Sequence, residues 1–168
     1  MKRGFWLAVA IAMASYALLI FWVAPVLYHR SGGLPVFDIR ISAYSAEDAM
    51  AYVEALGETG RQFYLTRVRP LDTLFPIAFC LALVLGYGRW LPGKNSGVRA
   101  ALILVAVVYL VCDLWENANI ATMLENPAKI DPALVKQTHL VTLAKWFYAL
   151  LALFAWLWLA FKQIGKSR

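Results

Sequence analysis

Four long apolar stretches, separated by shorter polar segments, dominate the chain. They cover about residues 5–27, 71–90, 98–120 and 138–161. A helix needs roughly 20 apolar residues to cross the hydrocarbon core of a membrane. The pattern therefore predicts an all-α bundle of four transmembrane helices, which forms a single integral membrane domain over residues 1–168.

The first apolar stretch follows two basic residues, Lys2 and Arg3, as it does in a secretory signal peptide. It is longer than the roughly 7–15 apolar residues of such a signal, so we expect it to remain as the first membrane span. Pro25 and then Tyr28, His29 and Arg30 mark the expected far end of this span.

Residues 29–70 are the one long hydrophilic segment, and we expect them to form the first outer loop. Residues 36–41 alternate apolar and polar side chains, which predicts a short extended piece. Ser45 and Asp48 have the spacing of a capping box, and apolar residues follow at helical intervals up to Gly57. Gly57 has the place of a helix-ending glycine. The loop is therefore predicted to contain short amphipathic helices, the first of which ends there.

The composition agrees with a membrane location. Hydrophobic residues make up 62% of the chain and charged residues 15%, whereas soluble domains are nearer half apolar and a quarter charged. The formal net charge of +6 does not indicate nucleic-acid binding, because the basic residues lie mostly in short segments beside the apolar stretches. The lipid bilayer is therefore the expected surrounding.

The distribution of basic residues also predicts how the chain is threaded. The N-terminal segment, the turn at 91–99 and the segment after Phe161 are short and basic, and they contain no acidic residue. Segments of this kind stay on the cytoplasmic side of a membrane. Both termini are thus expected in the cytoplasm, the 29–70 loop and the 125–137 connection outside it, and the protein in a bacterial inner (plasma) membrane.

A polar stripe interrupts the third apolar stretch near its predicted outer end. Asp113, Glu116 and Asn117 have helical spacing, so one face of a helix presents all three. A charge at membrane depth costs roughly 2.5–3.5 kcal/mol on insertion scales, so it normally faces a partner or a water-filled cavity. Lys145 on the fourth span lies at the same depth. Because spans three and four are expected to pack antiparallel, Lys145 is predicted to pair with a carboxylate from Asp113, Glu116 or Asp72.

Other polar residues reach the same level of the predicted bundle, and Asp72 begins the second span there. They are expected to form one outward-opening pocket, which the loop helices cover. The candidate catalytic residues are Asp113, Glu116, Lys145 and Asp72, and the candidate ligand-binding residues are Asn117, His139, Tyr148 and Arg69.

The sequence leaves the chemistry of this cluster open. Its Asp, Glu and His residues could hold a metal ion, but no HExxH-like spacing supports one, and no metal is predicted. His29 and His139 flank the outer boundary on spans one and four and could bridge a haem, although boundary histidines are more often interfacial residues. Cys80 and Cys112 lie within apolar stretches and are expected to be unpaired core residues. No cofactor follows from these patterns.

Three classes of function remain. The first, which we expect, is a non-catalytic accessory, assembly or binding protein, whose partners are other membrane proteins or a lipid or small-molecule ligand. The second is a small intramembrane enzyme that acts on a lipid or lipid-linked substrate from the outer leaflet through Asp113 and Glu116. The third is a proton-coupled carrier, which has less support because the sequence shows no pair of broken helices.

Overall fold

The computed structural model describes residues 2–91 and 96–164. Within these ranges the chain is helical almost throughout and contains no strand, so the predicted all-α class is confirmed. The α-helices are α1 (Lys2–Leu18), α2 (Ala24–Arg30), α3 (Ala46–Phe63), α4 (Arg69–Trp90), α5 (Ser96–Glu125) and α6 (Pro132–Ile164). Residues 92–95 of the predicted basic turn and the basic C-terminal residues 166 and 168 lie outside the described ranges.

Four helical lengths are long and apolar enough to cross a membrane, which confirms the predicted number. They are Arg3–Arg30, Ala46–Trp90, Ser96–Glu125 and Pro132–Gln163. Each contains one predicted span and extends beyond it. The second extends furthest, because α3 and α4 are joined by the helical segment Tyr64–Val68.

The long helices pack in a row, with α1 against α4, α4 against α5, and α5 against α6. α4 also touches α6. One apolar core lies at the end of the bundle that carries residues 31–45, which we call the loop end, and it joins α2, α3, α5 and α6. A second core near the opposite end joins α4, α5 and α6 around Leu83, Tyr87 and Ala152. Both cysteines are free, as expected, but only Cys80 is fully buried.

Neither Pro25 nor Pro70 ends its helix. The first span is expected to end over Pro25 and Tyr28 to Arg30, and its helix passes through Pro25 and ends at Arg30. π-helical turns at Leu19–Val23 and Tyr64–Val68 each end two positions before a proline. A proline lacks the N–H that would bond the carbonyl four residues back, and its ring crowds that carbonyl. The wider π turn relieves the crowding, so the helix can pass through.

The segment before α4 differs from the predicted loop in two ways. Residues 36–41 are not extended, because Phe37–Ile39 form a 3-10 turn. α3 begins at the predicted capping box, in which Ser45 and Asp48 each accept a hydrogen bond from the other's backbone N–H. Gly57 has a φ of 61° and a ψ of −178°, an essentially glycine-only conformation that breaks α3. Beyond that break the chain stays helical into α4, so the loop helices are not separate from the second span.

Trp156 provides a direct test of the core opposite the loop end. Its indole N–H donates a hydrogen bond to the Ala82 carbonyl at 3.3 Å. A Cβ on Gly86 would overlap the indole nitrogen. We therefore expect Gly86→Ala to displace Trp156 and to lower the free energy of unfolding by about 1–3 kcal/mol, as overpacking does. Chemical unfolding in detergent measures this loss.

Gly88→Ala is the matched control, since a Cβ at Gly88 meets nothing within 4 Å. This second substitution should leave the stability unchanged or raise it slightly, because alanine is the better helix former. Equal stability of the two variants would show that Trp156 does not require a glycine at position 86.

Candidate functional site

The predicted ion pair of Lys145 is present where α5 packs on α6. The Lys145 ammonium contacts the carboxylate of Glu116, whose side chain is completely buried. The Thr142 hydroxyl, also buried, donates a hydrogen bond to the same carboxylate. Thr142 and Lys145 are three residues apart on α6, so both face Glu116. Glu116 is therefore held by two groups of the neighbouring helix.

Asp38 is a member of this cluster that the sequence did not identify. Its Oδ1 lies 3.8 Å from the Lys145 Nζ, so Lys145 bridges two carboxylates. The Tyr64 hydroxyl donates to Asp38 Oδ2 at 3.0 Å, and the Trp146 indole N–H donates to the Asp38 backbone carbonyl at 3.0 Å. The only feature of the sequence that could have indicated Asp38 is its position between two bulky apolar residues, Phe37 and Ile39. Asp38 thus ties the segment before α3 to the helical segment Tyr64–Val68 and to α6.

Arg40 fixes the same segment from its other side. Its guanidinium carbon lies 5.1–5.3 Å from the ring centres of Phe37, Tyr44 and Tyr52. Its Nε–H donates to the Pro35 carbonyl at 2.8 Å. Burial lowers the pKa of Arg40 and raises the pKa of Tyr44 to about 12, so the Tyr44 hydroxyl stays protonated. A cation enclosed by aromatic faces is a stabilising arrangement, and it holds the chain that presents Asp38.

A cavity of about 400 Å³ lies between α1 and α6, and we call it the α1–α6 cavity. Its walls are apolar over most of their length. Residues from α4, α5 and the Phe37–Ile39 turn complete them. The charged residues that line it are Asp38, Asp72, Asp113 and Lys145. On each helix the charged residue lies nearer the loop end than the apolar lining residues Phe79, Tyr109 and Leu153. Lys145, for example, precedes Leu153 by about 12 Å along α6.

The two rims of the cavity are exposed at the side of the bundle. Met13 and Tyr16 on α1 are 65% and 43% exposed, and Leu150 on α6 is 46% exposed, although all three also line the cavity. Among the described helices, α1 and α6 both pack on α4 but make no extensive contact with each other. The cavity is therefore open sideways between them, toward the surroundings of the apolar helix surface.

Asn117 connects the other two acidic residues of the site, Asp72 and Asp113. Its Nδ2 donates to the Asp72 backbone carbonyl at 3.3 Å and to Asp113 Oδ1 at 3.4 Å. Asn117 is only 5% exposed, and its Oδ1 has no hydrogen-bond donor among the described residues. Asp113 is equally buried, whereas Asp72 retains some exposure and lines the cavity beside it. Asp72 and Asp113 are thus the two carboxylates that α4 and α5 bring to the cavity.

The predicted grouping of Asp113 with Glu116 needs correction. Asp113 lines the cavity, but Glu116 does not, because its carboxylate points into the contact with Lys145 and Thr142. The two residues lie about 60° apart around the axis of α5. Because α5 packs against both α4 and α6, this rotation is enough to direct Asp113 to the cavity and Glu116 to α6.

Three candidate ligand-binding residues are not brought to the cavity. Arg69 is 43% exposed and pairs with Glu125 at 3.6 Å. The ring of His139 packs edge-on against Tyr44 at 6.0 Å, and Tyr148 packs against its neighbour Phe147. The predicted convergence of these three residues on one pocket is therefore not found.

The alternatives that involve metal and haem gain no geometric support. Within residues 2–91 and 96–164, no three His, Cys, Asp or Glu side chains are placed to hold a metal ion together. His29 is exposed and lies against Tyr28, whereas His139 lies against Tyr44.

No protein-family model, curated protein or solved structure matches the chain. The residues themselves must therefore indicate the chemistry. A long apolar cavity with acidic groups at one end has the form of a site for a molecule with an apolar chain and a polar end.

Proposed function

We propose that the protein is a membrane-embedded binding protein that takes the apolar chain of an amphiphile into the α1–α6 cavity. One observation supports this most directly. A cavity of about 400 Å³ has mostly apolar walls, and its few charged side chains are grouped toward the loop end. An apolar chain buries its surface against those walls, and the polar end of the ligand meets Asp72 and Asp113. No covalent step is required of any residue.

The sideways opening supports entry from the bilayer. Because the rims at Met13, Tyr16 and Leu150 are exposed between α1 and α6, a chain can move from the lipid into the cavity without crossing water. The 31–45 segment covers the loop end through Asp38, which bonds to α6. An occupant would therefore enter tail first along the membrane plane.

We test this with hexadecanol that carries a diazirine in the middle of its chain, incorporated into phosphatidylcholine nanodiscs with the protein. Light-induced labelling of Leu150 and Leu153 should saturate and should be competed by unlabelled hexadecanol. Labelling of the outward-facing Phe154 and Trp158 on the same helix should follow bulk lipid and show no competition. Equal labelling of both faces of α6 without competition would contradict the proposal.

We further propose that the loop end faces outward from a bacterial inner membrane and that both termini are cytoplasmic. The basic segments at 2–3, 91–99 and after Phe161 support this orientation. A periplasm-active alkaline phosphatase fused after Arg168 should therefore be inactive, and the same reporter inserted after Gly33 should be active. The opposite pair of activities would reverse the orientation of the whole bundle.

A small intramembrane hydrolase is a second candidate, because Asp72 and Asp113 line the same cavity. One carboxylate would activate water for attack on an ester carbonyl, and the other would protonate the leaving oxygen. Glu116, expected from sequence to act with Asp113, is instead held by Lys145. Turnover of a fluorogenic palmitoyl ester in nanodiscs that is lost in Asp113→Asn would favour this candidate over binding alone.

A further inference from the structure

The loop end of the α1–α6 cavity carries more negative than positive groups. Three of its four charged lining residues are aspartates, and the fourth is Lys145. Lys145 already contacts Glu116 and Asp38. Among the residues that the structure describes, no cation lies within ion-pair distance of Asp72 or Asp113. The charge that α4 and α5 present to the cavity therefore has no directly paired counter-ion within the described residues.

The described surroundings of Asp72 and Asp113 also contain a buried acceptor without a donor, on Asn117 behind the cavity wall. Asn117 uses its Nδ2 on Asp113 and on the Asp72 carbonyl, which leaves its buried Oδ1 without a donor in the described ranges. Carboxylates accept hydrogen bonds and donate none when ionised. An unpaired carboxylate in apolar surroundings is costly, so it takes up a proton or a cation. A ligand that brings hydrogen-bond donors and a positive charge would satisfy both the acceptors and the charge of the two acids.

We infer that the polar end of the amphiphile is an amine, held as an ammonium by Asp72 and Asp113. This inference rests on the proposed function. An ammonium has three N–H donors, no acceptor and one positive charge, which matches two acids that have no ion-pair partner in the described ranges. A hydroxyl offers a single donor and no charge. A carboxylate or phosphate end would add negative charge beside two acids, which repels it.

The photolabelling assay in nanodiscs tests this inference at pH 7. Hexadecylamine and hexadecanol have the same apolar chain, so they differ only at the polar end. Hexadecylamine should compete for the labelling of Leu150 and Leu153 at a concentration at least tenfold lower than hexadecanol. The double substitution Asp72→Asn and Asp113→Asn should abolish that preference, because it weakens competition by hexadecylamine. Competition by hexadecanol should stay unchanged, which would show that the cavity is intact.

A matched control removes two acids elsewhere. Glu54→Gln with Glu58→Gln neutralises two exposed carboxylates on α3 and should keep the preference for the amine. Equal competition by amine and alcohol in the unmodified protein would overturn the amine inference and leave the proposed function standing. A preference that survives in the Asp72 and Asp113 double variant would also overturn it. If neither compound competes, the proposed function fails.

Discussion

Replacing Lys145 with methionine is expected to lower the free energy of unfolding by about 3–5 kcal/mol, which is the usual cost of breaking a buried ion pair from one side. Lys145 is 7% exposed, and its ammonium contacts both Glu116 and Asp38. Methionine keeps much of the apolar stem but leaves the Glu116 carboxylate buried without its cation. The loss should appear in reversible unfolding of the detergent-solubilised protein.

A second substitution separates the ion pair from simple packing. Glu116→Gln in the Lys145→Met background removes the stranded charge and keeps an acceptor for the Thr142 hydroxyl, so it should recover more than half of the loss. Lys136→Met, at an exposed position on the same helix, should have little effect. Additive losses in the double variant would show that Lys145 and Glu116 are energetically independent.

Replacing Asp38 with alanine is expected to detach the 31–45 segment from the bundle. The substitution removes the acceptor of the Tyr64 hydroxyl and one of the two carboxylates on Lys145. Losing a buried partner of this kind costs about 1–3 kcal/mol. Hydrogen exchange should therefore speed up by roughly five- to hundredfold at the Arg40 amide, which donates to the Phe37 carbonyl in the 3-10 turn.

The matched variant is Asp38→Asn, which keeps an acceptor for Tyr64 but removes the charge that faces Lys145. Its exchange rates should lie between those of the unmodified protein and of Asp38→Ala. The Trp146 bond goes to the Asp38 backbone and survives in both variants. Unchanged exchange at Arg40 in the alanine variant would mean that its aromatic enclosure alone holds the segment.

The features that the sequence could predict depend on local patterns. The length of an apolar stretch determines whether a helix can cross a membrane, so the four spans could be predicted without a structure. The contact of Lys145 with a carboxylate could also be predicted. An ammonium at membrane depth needs a partner, and the short connection between α5 and α6 makes these helices neighbours. The capping box at Ser45 is local in the same sense.

The features that the sequence missed depend on contacts between distant segments. Asp38 lies 107 positions before Lys145, and no spacing rule connects a residue of a polar segment to a helix so far along the chain. The π turn at Leu19–Val23 was also missed, because hydrophobic periodicity does not distinguish a π-helical turn from an α-helical one. The separation of Asp113 from Glu116 depended on which neighbours α5 meets, and only the packing shows those.

Ala149 provides the most direct test of the claim that the α1–α6 cavity holds an apolar chain. It lines the cavity between Lys145 and Leu153 at helical spacing, so a large side chain there fills the space. Ala144 lies on the same helix, is equally half-buried and does not line the cavity. Native mass spectrometry, after incubation with hexadecylamine, counts the molecules bound by the unmodified protein, Ala149→Trp and Ala144→Trp. We expect one retained molecule in the unmodified protein and in Ala144→Trp, and none in Ala149→Trp. Equal retention by all three proteins would contradict the account.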